Sequence, residues 1–93
     1  MKVKELFSDQ TKWTQGAYAK SKNGTHLFSC DPTAVCFCLY GAISRCYEGD
    51  QDHFLTVSNK VRKAIGINDI FTWNDDPNRI FQEVKDLVEK LDI

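Results

Sequence analysis

From Pro32 to Ser44 the sequence runs Pro-Thr-Ala-Val-Cys-Phe-Cys-Leu-Tyr-Gly-Ala-Ile-Ser without one charged side chain. A segment of this kind has no face to turn toward water, so it belongs at the centre of the fold and the rest must be built around it. Asp31-Pro32 immediately ahead has the chemistry of a helix start, an acceptor for free amides followed by a residue with no N–H to waste. The expectation is a central buried helix from Asp31 to Tyr47 that stops near Gly49. Gly41-Ala42 within it lowers helix propensity, which points to the close approach of another element at that place.

The flanking segments read more simply. Lys2–Asp9 predicts a short helix with Val3, Leu6 and Phe7 on one side, too short to stand without a neighbour. Trp13–Phe28 predicts a β-hairpin turning at Asn23-Gly24, with Lys20 and Lys22 facing solvent. Phe54, Val57, Val61, Ala64 and Ile65 recur at helical spacing, which predicts a helix over Gln51–Ile65, opened by Asp50 and closed by Gly66. Ile67–Trp73 reads as a loop or short strand. A last helix is expected to begin within Asn74–Asn78, with Ile80, Phe81, Val84, Leu87, Val88 and Leu91 as its apolar stripe. The sum is an α+β fold in a single domain over residues 1–93: a short N-terminal helix, a β-hairpin, a central buried helix and two further amphipathic helices.

Charge excludes one large class of partner. Twelve basic against thirteen acidic residues leave a net charge of −1, without the basic footprint of a general nucleic-acid binder. Residues 1–46 carry six basic and three acidic groups and residues 47–93 six and ten, and the lysines of the first half (Lys2, Lys4, Lys12, Lys20, Lys22) read as solvated surface. The Met1–Ser8 segment has no signal-peptide core and no stretch approaches a membrane span, so a cytoplasmic protein with reduced thiols is expected, without membrane or nucleic-acid partners.

Four cysteines and two histidines raise metal and thiol chemistry. The order His26, Cys30, Cys36, Cys38, Cys46, His53 contains no zinc-knuckle spacing. On the expected helix, Cys36 and Cys38 project about 200° apart and cannot share an ion. As a nucleophile Cys36 lies beyond the first turn, where the helix dipole lowers a thiol pKa, and Asp31 opposes a thiolate there. Buried thiols packing as small hydrophobes explain all four. Asp75-Asp76 has a sufficient explanation in turn formation and capping. No phosphate loop, nucleophile elbow or dinucleotide fingerprint is present, and no cofactor is expected. Trp13 and Trp73 stand out among the aromatics, because each adjoins polar turn residues.

Three motifs in order, Trp13-Thr14-Gln15-Gly16-Ala17, then Asp31 to Ala42 with its Ala34-Val35-Cys36-Phe37-Cys38 and Gly41-Ala42, then Asn74-Asp75-Asp76-Pro77-Asn78-Arg79 followed by Glu83-Val84, resemble a bacterial and phage family catalogued as domain of unknown function 6197. The resemblance covers nearly all of the chain after residue 12. Phe37 stands where the family often has Trp, Asn78 replaces a Gly, and Ile80 replaces a Thr that caps the last helix, so Asp76 or Asn78 is expected to cap it instead. Carried over position by position, the resemblance implies a shared site at Trp13, Gln15, Cys36, Cys38, Asn74, Asp75 and Arg79, with no activity attached. The reading that follows is a non-enzymatic binding or regulatory module for a protein or small-molecule partner. Its groove is expected where Trp13–Gln15 meets the Asn74–Arg79 loop beside the central helix. The competing reading is a small enzyme with a pocket built on Cys36, Cys38 or Asp75.

Overall fold

A computed structural model describes residues 1–93. The chain opens with helix α1 (Val3–Leu6) and a 3-10 turn over Gln10–Lys12. Two strands, β1 (Ala19–Lys20) and β2 (His26–Leu27), make the expected hairpin, and a third, β3 (Cys36–Phe37), follows. Helices α2 (Leu39–Cys46), α3 (Gln51–Ile65), α4 (Ile70–Asn74) and α5 (Phe81–Leu91) complete it. This is the α+β fold expected from the sequence. The sheet is antiparallel with order β2-β1-β3, Ala19 facing both Leu27 and Phe37 and Lys20 facing both His26 and Cys36. Thirteen buried apolar residues, among them Phe7, Leu39, Ile43, Val61, Ile70, Val84 and Val88, form the core.

α3 has the bounds and both ends read from the sequence. Asp50 accepts from the His53 N–H at 3.1 Å, and Gly66 closes the helix at φ +77°, where a side chain would strain. At the hairpin turn, Gly24 takes φ +84° and donates to the Ser21 carbonyl. β1 is the middle strand, however, so the half-buried Lys20 does not guard an edge; only Lys22 stands out in solvent.

The central helix is half the length expected. Asp31 closes a tight turn, its Oδ1 accepting from the backbone N–H and hydroxyl of Thr33. The chain then extends, with Val35 N–H donating to the Lys20 carbonyl and Cys38 N–H to the Tyr18 carbonyl. Helix begins only at Leu39, because β1 offers residues 35–38 a set of backbone partners that a helix there would forgo. Gly41 does what its size suggested: a Cβ on it would collide with the Tyr18 carbonyl oxygen. The segment read as loop or strand contains α4, opened by Asp69, whose carboxylate accepts from the N–H and hydroxyl of Thr72. Asn74 therefore ends a helix instead of starting one. α5 starts at Phe81 with neither Asp76 nor Asn78 as its cap. Glu83 reaches back to accept the Ile80 N–H at 3.1 Å, and Ile80 itself is exposed instead of joining the core stripe.

Candidate functional site

The three motifs converge on Asn74. Its side chain is fully buried, a position that demands a partner for every polar atom. Oδ1 accepts from the Trp13 indole at 2.7 Å and from the Leu39 N–H at 2.9 Å, and Nδ2 donates to the Thr14 carbonyl at 3.1 Å and to Asp75 Oδ1 at 2.9 Å. One carboxamide thus ties the Trp13–Gln15 segment, the start of α2 and the end of α4 together. Leu39 supplies one of the amides that a helix N-terminus leaves free, and Asn74 satisfies it from another part of the chain.

Gln15 and Arg79 close the same C-terminal end of α4. Gln15 Nε2 donates to the carbonyls of Asn74 at 2.9 Å and Asp76 at 3.0 Å, while Arg79 Nε donates to the Trp73 carbonyl at 3.0 Å. The Trp73 and Asn74 carbonyls have no partner inside the short helix, and a cation suits that end of it. The Arg79 guanidinium also lies 3.8 Å from the centre of the Trp73 ring and reaches Glu83 at 3.3 Å. Trp13 packs its half-buried ring against Phe81.

The cysteines occupy different places. Cys38 is the residue before α2, and its sulfur accepts from the Gly41 N–H at 3.2 Å. That is where a helix dipole favours a thiolate, yet burial pushes the thiol up to about 11, against the backbone N–H bonds that pull it down. Desolvation wins, and Cys38 is a protonated thiol at neutral pH. Burial likewise raises Cys46 to about 11. Cys36 lies in β3, half-buried, with its sulfur 3.9 Å from the Lys20 carbonyl, away from Asn74. Neither lies in the helical position assumed for it, so the angular separation argued from the sequence does not apply. All four cysteines are free, and no three His, Cys, Asp or Glu side chains lie close enough to share a metal ion.

A family model matches residues 2–91, nearly the whole chain. The chain belongs to the family of unknown function DUF6197. Neither the curated proteins nor the solved structures gave a match. For this DUF6197 chain, the motif residues Trp13, Gln15, Asn74, Asp75 and Arg79 meet at one junction, which Cys38 borders and Cys36 does not reach.

Beside that junction lies a cleft of about 590 Å3 that includes Tyr18, Leu27, Phe28, Asp31, Phe71 and Asp75 in its lining. Asp75 belongs to both places. Its Oδ1 accepts from the Gly16 N–H at 3.1 Å and from Asn74, so the carboxylate is held at the cleft by the junction. Gly16 meets it with φ +83°, a conformation that favours glycine. Phe71 and Tyr18 meet edge to face at 4.6 Å, and Tyr40 stacks on Phe71 at 5.1 Å, so the cleft's aromatic wall is backed by α2 and α4. Sequence reasoning missed Tyr18, Phe28 and Phe71 as a group. The Gly41-Ala42 pair was the available signal, because the close approach it permits is to Tyr18.

Proposed function

We propose that this protein is a cytoplasmic, non-enzymatic binding module and that its ligand seats in the cleft between the Gly16–Tyr18 segment, β2 and α4. The observation that carries this reading is Asp75, whose position the junction holds while its carboxylate borders a cleft with an aromatic wall. Phe28 is 77% exposed and Tyr18 42%, a large apolar surface left in water on one side of the cleft. The cleft's volume falls within the range of about 300–1,000 Å3 for small-molecule sites. The motif residues act through this cleft by fixing its walls, Gln15 and Asn74 holding the C-terminal end of α4, the short helix that carries Phe71 and leads into Asp75. No helix is long and apolar enough to cross a membrane.

A fragment set titrated into the isotope-labelled chain tests the reading. Hits are expected to move the amides of residues 16–18 and 26–28, and to lose that effect in Tyr18→Ala and Phe28→Ala. Hits that gather elsewhere, or that ignore both substitutions, overturn it. The enzyme reading is tested by alkylation of the native protein: Cys30, which is exposed, is expected to label first and Cys38 and Cys46 only after unfolding. Cys36 or Cys38 alkylating below pH 7 faster than a free thiol overturns the non-enzymatic reading.

A further inference from the structure

The cleft's charge is one-sided. Asp31 and Asp75 line it, no Lys or Arg does, and His26 is its only basic side chain. The hydroxyl and backbone N–H of Thr33 hold the Asp31 carboxyl below the usual carboxylate range, so it is an anion at neutral pH. Arg45, whose charge also lowers the Asp31 pKa, donates to the carbonyls of Ser29 and Asp31 and forms no ion pair. Asp75 has no ion pair either, and both of its hydrogen bonds fall on Oδ1. Oδ2 has no hydrogen-bond partner within the chain, and Asp75 is an exposed residue in the lining of the cleft.

A carboxylate oriented by neutral donors, with one free oxygen beside exposed rings, complements a cation that also carries an apolar body. Resting on the binding reading above, we propose that the cleft takes a small organic ammonium ion, its N–H groups on Asp75 Oδ2 and its hydrocarbon against Tyr18, Phe28 and Phe71. Backbone pairing with a peptide is disfavoured, since β2 offers an edge of only two residues.

The test titrates phenethylammonium, neutral 2-phenylethanol and anionic 3-phenylpropionate into the full labelled chain. Phenethylammonium is expected to move the amides of Gly16, Ala17 and Phe28 saturably, the alcohol to bind about tenfold more weakly, and the carboxylate not to bind. Asp75→Asn keeps an acceptor for Gly16 and is expected to lose about tenfold in affinity for the amine, whereas Asp52→Asn, on α3, loses none. Asp31→Asn gives a second reading should Asp75→Asn fold poorly, with a loss of a few-fold expected. The alcohol binding as tightly as the amine, or both cleft variants binding the amine like the parent, overturns the cation and leaves the binding reading standing. A lysine-containing hexapeptide moving these amides when the free amine does not overturns the small-molecule assignment. Silence of all three probes overturns the cation, and silence of the fragment set as well overturns the binding reading beneath it.

Discussion

The Asn74 junction and the cleft next to it are built from adjoining residues under opposite rules. At the junction, Asn74 makes four side-chain hydrogen bonds in full burial, with nothing left to offer a ligand. At the cleft, apolar rings stand in water and a carboxylate keeps one oxygen free. The difference teaches that the polar words of a motif can serve to hold a frame, while plainer neighbours such as Tyr18 and Phe28 face the open space. Stability and binding are therefore separable by position.

Asn74→Ala is the strongest way to break that comparison. It leaves the half-buried Trp13 indole and the buried Leu39 N–H without their acceptor at roughly 1–3 kcal/mol each, so urea denaturation is expected to show a loss of about 4 kcal/mol. Gly41→Ala attacks the seam between the two regions, driving a methyl into the Tyr18 carbonyl. A loss of about 3 kcal/mol is expected, with altered amide shifts at residues 16–18, since strand and helix must part to admit the methyl. A Gly41→Ala protein as stable as the parent would mean that the seam is loose.

Asp92 supplies a comparison away from both regions. Hydrogen bonds and charge from Lys4 and Lys2 lower its pKa from 3.8 to about 2. Because the folded value lies below the unfolded one, the stabilisation is whole above about pH 4 and fades as pH falls toward 2. Asp92→Asn, which suits the left-handed φ of +55° there, is expected to flatten that acid limb without touching the cleft amides. Smallest of all, Phe28→Ala is expected to change the unfolding free energy from urea denaturation by no more than about 0.5 kcal/mol, because an exposed ring holds little together. A large loss there would make Phe28 part of the frame and erase the contrast.

What the sequence disclosed follows the range of the forces involved. α3 and the hairpin turn are specified within a few residues by Asp50, Gly66 and Asn23-Gly24, and these were legible. The start of α2 was not, because Val35-Cys36-Phe37 is a continuous apolar run that suits a buried strand as well as a helix, and its choice is made by β1. Asp31-Pro32-Thr33 misled for a related reason: an Asp that caps a helix closes an isolated turn with the same bonds. α4 is five residues long, too short to display a period. Asn74, Gln15 and Trp13 were singled out by the family resemblance, but the bonds that join Asn74 to Trp13 and Leu39 span 61 and 35 residues, a distance no local pattern crosses.

Both tryptophans of the chain belong to the junction, Trp13 with its indole N–H on Asn74 and Trp73 beneath the Arg79 guanidinium. Excited at the red edge of the indole band, where tyrosine and phenylalanine do not absorb, intrinsic fluorescence therefore reports on the frame. The molecule comes with a built-in reporter that records when the scaffold opens.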